Sequence, residues 1–123
     1  DLATIARAIS SGVADGFGMK LTRLGGISGM RAIRDLCHAT NTPTSCDDSW
    51  GGDIIAAACV HVGSTFHPHL SRGAWISDPY QAKHYDDLHG PRIVNGTIAV
   101  PPGPGLGITI PDGYFGSPIA SYA

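Results

Sequence analysis

Gly18-Met19-Lys20-Leu21-Thr22-Arg23-Leu24-Gly25-Gly26 is the stretch from which the fold of this chain is read. A short apolar run ends on a cation, twin glycines turn the chain, and an amphipathic segment opens at once. That order predicts strand, loop and helix, with the ammonium of Lys20 at the C-terminal tip of a strand. In parallel βα architectures this tip is where chemistry is done. A lysine placed there and stripped of water can lose its proton near neutral pH and serve as a base. On position alone, a solvated lysine at a strand end competes with that reading.

The same alternation extends in both directions. Residues 2–12 predict a helix that stops at Gly12, with Leu2, Ile5, Ala6 and Ile9 on one face; Asp1 has no lead-in before it. Residues 16–21 read as a buried strand. Ser28 is the expected N-cap of a helix running to about Thr40, with Met30, Ile33, Leu36 and Cys37 inward and Arg31, Arg34 and Asp35 toward water. Pro43 disfavours helix in the residue before it. A brief strand over Thr44 to Cys46 then leads into Asp47-Asp48-Ser49-Trp50-Gly51-Gly52. Asp53 to Val62 predicts a helix apolar nearly all round, which expects cover on several sides. A third strand, Gly73 to Ile76, ends at Ser77-Asp78-Pro79.

Strand tips thus recur near residues 21, 46 and 76, a spacing of about 25–30 residues that matches one βα unit. Three parallel strands leave two raw edges, and parallel sheets are normally covered on both faces. The expectation is a partial barrel over residues 1–90. Residues 91–123 are rich in Pro-Gly and Asn-Gly and read as an extended wrap, anchored by Ile93, Ile98, Val100, Leu106 and Ile108.

Composition narrows the function. At 123 residues the chain has the size of one domain, and its formal charge of −2 offers no basic stripe for a nucleic acid. No apolar run reaches the ~18 residues of a membrane span. Cys37, Cys46 and Cys59 are an odd, widely spaced set, which reads as reduced thiols of a cytoplasmic protein. Asp47 and Asp48 invite a metal reading, but neighbours on a strand point opposite ways and rarely chelate together. His61, His67 and His69 lack zinc-ligand spacing, and His61 reads as a core histidine. Cys46 reads as a small buried residue. Pro102-Gly103-Pro104-Gly105-Leu106-Gly107 lacks the ending of a phosphate loop. Arg23, one step into the loop, either helps hold charge near the Lys20 tip or, the stronger reading, makes a surface salt bridge, and Trp50 either closes a pocket wall or packs on a neighbouring loop.

Four segments in order carry a resemblance: Lys20-Leu-Thr-Arg-Leu-Gly-Gly-Ile-Ser-Gly, Asp-Asp-Ser-Trp-Gly-Gly-Asp, Ala-Ala-Ala-Cys-Val-His and Pro-Gly-Leu-Gly-Ile. Together they resemble the enolase superfamily, and within it the mandelate racemase and muconate lactonizing enzyme group. The resemblance implies an α/β fold, the C-terminal portion of a (β/α)8 TIM-like barrel: strands six to eight, with the Pro/Gly-rich tail returning toward an N-terminal capping domain. It implies Mg²⁺-dependent abstraction of the α-proton of a carboxylate substrate. The magnesium ligands, on strands three to five, and an opposing lysine, on strand two, would then lie upstream of Asp1. Lys20 would be acid and base on one face of the α-carbon.

By the same resemblance Asp48, at the seventh-strand tip, and Trp75, at the eighth, would bind substrate. Trp75 and Ser77 stand where dipeptide epimerases carry acids, which disfavours that activity. A tryptophan face suits a secondary or quaternary ammonium, so the expected substrate is proline-like: a cis-3-hydroxyproline to dehydrate or a proline betaine to epimerise. An acid-sugar dehydratase of the same superfamily is the alternative, although that group tends to use a histidine–aspartate pair in place of Lys20. A non-catalytic truncated remnant is the other. The partners implied are the small-molecule carboxylate, the missing N-terminal part and a homo-oligomeric copy; the segment alone is expected to be inactive.

Overall fold

The computed structural model describes residues 1–122. Three strands form one parallel sheet in the order β1-β2-β3, where β1 is Phe17–Lys20, β2 Thr44–Asp47 and β3 Ser71–Trp75. Helix α1 (Leu2–Ser10) precedes β1, α2 (Gly26–Ala39) joins β1 to β2, and α3 (Gly52–Gly63) joins β2 to β3. The expected α/β alternation is therefore present.

Alternation along the strands sorts the side chains. Met19, Cys46 and Ala74 belong to the core with Met30, Ile33 and Cys37 of α2 and Ala58, Cys59 and Val62 of α3. Cys46 and Ala74 are register partners, as are Met19 and Cys46, so this row faces the helices. Residues one step away along each strand face the other side. The helix-side seam is built from small residues: a Cβ on Gly63 would lie 3.4 Å from that of Cys46 and 3.6 Å from that of Ala74. Cys46 and Cys59 sit there with their sulfurs 3.2 Å apart, and each thiol donates to the other residue's carbonyl, at 3.1 and 3.2 Å. The hydrogen bond to Cys46, and then burial, push the Cys59 thiol far above the ordinary thiol range. All three cysteines are free and buried.

Several expected boundaries move, each for a local reason. Asp1 is itself the cap of α1, accepting from the Thr4 amide at 2.8 Å, and α1 ends two residues before Gly12, at Ser10, where Ser10 and Ser11 hydroxyls bond back to the Arg7 carbonyl. Ser28 is not the cap of α2. After a 3-10 turn over Leu21–Arg23, Gly25 and Gly26 take left-handed φ of 79° and 84° and turn the chain straight into the helix, placing Ser28 in its first turn. Strand β3 starts two residues earlier than expected because Gly73, at φ 87°, accommodates an irregularity opposite the Thr44–Cys46 segment of β2. Arg34, expected in water, spans α2 and the end of α3 by donating to the Thr65 hydroxyl at 2.5 Å.

Helix α3 is not apolar all round. Asp53, in its first turn, is completely buried and fastens the segment that follows β3. It accepts from the backbone amides of Tyr85 and Asp86 and from His84 Nδ1 at 2.8 Å, with Arg92 Nη1 at 3.5 Å. His61, the expected core histidine, is half-buried and faces the Leu106 carbonyl at 3.1 Å. Asp86 accepts from the amides of Thr109, Leu88 and His89, at 2.7, 2.9 and 3.0 Å. Residues 93–98 form a hairpin of β4 (Ile93–Val94) and β5 (Thr97–Ile98), closed by Asn95-Gly96 at φ 50° and 74°, the pair of left-handed residues that a tight two-residue turn requires. No helix among the described residues is long and apolar enough to cross a membrane.

Candidate functional site

The parallel register aligns the three strand tips. Lys20 pairs with Asp47, and Asp47 with Trp75. Since Met19, Cys46 and Ala74 face the helices, Lys20, Asp47 and Trp75 form a row on the opposite face, at the C-terminal ends of their strands. With neighbouring strands about 4.8 Å apart, that row spans roughly 10 Å. Lys20 and Asp47 are half-buried and Trp75 is 38% exposed. The face is polar in the next row too: Gly18 pairs with Ser45, whose hydroxyl donates to Asp47 Oδ1 at 3.0 Å.

Asp48, expected against the substrate, lies off the row of Lys20, Asp47 and Trp75. Strand β2 runs on through Asp47, so parity sends Asp48 away from the open face. It is completely buried, with one oxygen accepting from the Trp50 amide and the other from the Ser77 amide and hydroxyl at 2.8 and 2.9 Å. Asp48 thus clips the β2 tip to the β3 tip. It also steadies Trp50, which holds a left-handed φ of 64° that is uncommon for a bulky residue. Gln81 extends the clip by donating to the Ser77 hydroxyl at 3.1 Å.

Asp47 is the carboxylate of this row, and sequence reasoning did not single it out. The signal was present: counting by twos from Met19 and Cys46 assigns residues 18, 20, 45 and 47 to one face. Trp50 and Trp75, both singled out from the sequence, come together at 5.4 Å between ring centroids, and Tyr80 completes the group at 5.5 Å from Trp50 and 6.4 Å from Trp75. The loops behind the rim are joined by a hydrogen bond of 2.7 Å from the Thr22 hydroxyl to that of Ser49. Arg23 is exposed in the turn after Lys20. An ammonium, a carboxylate and an aromatic face in one row can move a proton, pair with a cation and cover its apolar part.

These residues do not make a magnesium centre. Among the described residues no group of three or more His, Cys, Asp or Glu could hold a metal ion, and both oxygens of Asp48 are engaged within the protein.

Residues 1–113 match the family model described as enolase C-terminal domain-like. The cis-3-hydroxy-L-proline dehydratase of Roseibium aggregatum is 33% identical over 121 residues, covering 98% of this chain and 32% of the relative. A mandelate racemase/muconate lactonizing enzyme from Roseovarius nubinhibens ISM superposes with a TM-score of 0.88 at 29% identity, over 99% of this chain and 33% of its own. A putative enzyme of the same kind from that organism, complexed with magnesium, superposes with a TM-score of 0.90 at 26% identity, over 98% of this chain and 33% of its own. The chain spans about a third of the length of these relatives.

Proposed function

This chain belongs to the enolase C-terminal domain-like family, and we propose that it supplies strands six to eight of a (β/α)8 barrel in which Lys20 moves the α-proton of a proline-like amino-acid carboxylate. The observation that carries this reading is the cross-strand row of Lys20, Asp47 and Trp75 at the C-terminal ends of three parallel strands, the rim at which barrels of this architecture do their chemistry. The likeness to a cis-3-hydroxy-L-proline dehydratase supports the substrate class.

Each residue has a task set by its chemistry. Lys20, as the free amine, takes the proton from the α-carbon on the face it looks at, and returns one there as the ammonium. Asp47, rather than the buried Asp48, pairs with the positively charged ring nitrogen. Trp75 covers the same cation from the side; such a contact supplies up to about 2 kcal/mol when desolvated. Trp50 and Tyr80 hold the Trp75 ring in place through their edge and tilted contacts.

Two outcomes follow from one deprotonation. When the β-carbon carries a hydroxyl, the electron pair left on Cα forms the Cα–Cβ double bond as the Cβ–O bond breaks; the departing hydroxide and one proton, equivalent to the one taken from Cα, leave as water. When no leaving group is present, return of a proton from the opposite face inverts the α-carbon; the group supplying it lies outside this chain. A magnesium ion, as in the magnesium-complexed relative, would be held by carboxylates outside this chain, and would supply the Lewis acid that makes the α-proton acidic enough for Lys20 to take. The remainder of a full-length barrel and a homo-oligomeric copy complete the proposed assembly.

The test is α-proton exchange in D₂O, followed by mass spectrometry in the full-length polypeptide carrying these residues, with cis-3-hydroxyproline and proline betaine as substrates. Lys20→Ala is expected to abolish exchange on one face while Asp48→Asn leaves exchange stereochemistry unaltered. Exchange retained on both faces by Lys20→Ala removes the lysine from its role.

A further inference from the structure

The register that makes Lys20 and Asp47 neighbours creates a hazard. An ammonium and a carboxylate on adjacent strands tend to collapse into an ion pair, and an opposite charge within about 4–6 Å holds a lysine in its protonated form. A lysine so held is a poor base. Yet among the described residues Lys20 and Asp47 are not ion-paired within 4.0 Å. Asp47 bends toward the lower row instead.

Two features account for that bend. Ser45, two residues earlier on the same face, donates its hydroxyl to Asp47 Oδ1 at 3.0 Å. Gly18, directly across on β1, leaves empty the space into which the other oxygen fits: a Cβ at residue 18 would lie 3.1 Å from Asp47 Oδ2 and 3.5 Å from the Ser45 hydroxyl. The first separation is closer than ordinary van der Waals contact. Gly18 lies in regular strand and none of its features requires the left-handed region, so conformational freedom does not explain a glycine there; the missing side chain does.

Resting on the proton-transfer reading above, we infer that Ser45 and Gly18 are positioning residues that form a seat for Asp47 and keep its charge off Lys20. With its oxygens held in the lower row, the carboxylate stays off the amine, which remains available as a base. Neither residue touches the reacting atoms; both act through Asp47. The charged groups around Lys20 in this chain are Asp47 from β2 and Arg23 from its own turn. From β3 the register neighbour of Asp47 is the uncharged Trp75, with Arg72 lower on that strand.

The seat makes a prediction that a merely structural role does not. In the full-length polypeptide, Gly18→Ala sets a methyl 3.1 Å from Asp47 Oδ2 and presses it off its seat by a few tenths of an ångström, and Ser45→Ala removes the hydrogen bond that holds Oδ1. Both let the carboxylate swing toward its register partner, so more alkaline conditions are needed to free the amine. The acid limb of the kcat/KM profile for α-proton exchange, below which the base is protonated, should move up by about one pH unit in each variant. Ser45→Thr, which keeps the hydroxyl, should restore the wild-type limb.

A limb that stays in place while kcat falls overturns the inference, as does failure of Ser45→Thr to differ from Ser45→Ala. Ser45→Ala is smaller than the native residue and covers the case in which Gly18→Ala fails to fold. Absence of exchange in the wild-type enzyme overturns the proton-transfer reading itself, and the seat with it. Wild-type exchange combined with unmoved limbs overturns only the seat.

Discussion

Replacing Asp53 by alanine offers a quantitative test of how the segment after β3 is held. The side chain is completely buried. It accepts from the Tyr85 and Asp86 amides and faces His84 at 2.8 Å and Arg92 at 3.5 Å. Alanine strands two backbone donors, each costing about 1–3 kcal/mol when left buried without an acceptor. It also removes the anionic member of a buried charge cluster, a loss typically of about 3–5 kcal/mol. The two costs overlap, because the same groups relax together, and a net loss of about 3–5 kcal/mol is expected. Each 1.4 kcal/mol is a factor of ten, so local opening should rise on the order of a hundredfold to a few thousandfold. Hydrogen exchange of the full-length polypeptide reads this directly, at the amides of residues 84–109. Asp53→Asn, which keeps one acceptor oxygen, should fall between wild type and alanine. Protection in Asp53→Ala within about threefold of wild type would refute the reasoning.

Two further outcomes are expected. Trp75→Ala should raise KM for a cationic, proline-like substrate by up to about thirtyfold, the equivalent of roughly 2 kcal/mol; equal loss for an analogue lacking the ring ammonium would contradict the cation–π assignment. Backbone amides of Thr109 and then His89 hold the Asp86 carboxyl well below the usual carboxylate range. Its contribution to tail anchoring is therefore fully present above the unfolded value of about 3.9 and lost as pH falls below it. Protection of the Thr109 amide, taken relative to its intrinsic exchange rate at each pH, should fall with acidification below about pH 4 in the wild type, and the Asp86→Asn profile should lack that step.

The sheet was legible because its signals are local. Met19-Lys20 before twin glycines, Cys46 before an aspartate pair and the third strand tip near residue 76 each announce a strand end within a few residues, and the interval between them defines the βα repeat. The Asn95-Gly96 turn is equally local. What escaped the sequence depends on partners far along the chain. Asp53 looked like the polar start of an apolar helix, since the groups it binds lie 31 to 33 residues later. Asp48 was preferred to Asp47 on the family resemblance, whereas alternation along β2 from the helix-facing Cys46 puts Asp47 on the open face. Ser28 was misread as a cap because serine is a frequent one, whereas consecutive left-handed glycines had already started the helix.

The seam of glycine, alanine and cysteine between α3 and the sheet has a mechanical consequence. Alanine and glycine have no side-chain rotamers to exchange, so the seam cannot absorb a shove by repacking. A displacement of α3 would pass undamped, as rigid-body motion, into β2 and β3. The loop holding Trp50 opens directly into that helix, which makes the aromatic wall an extension of a stiff plate, while compliance is left to the turns around it.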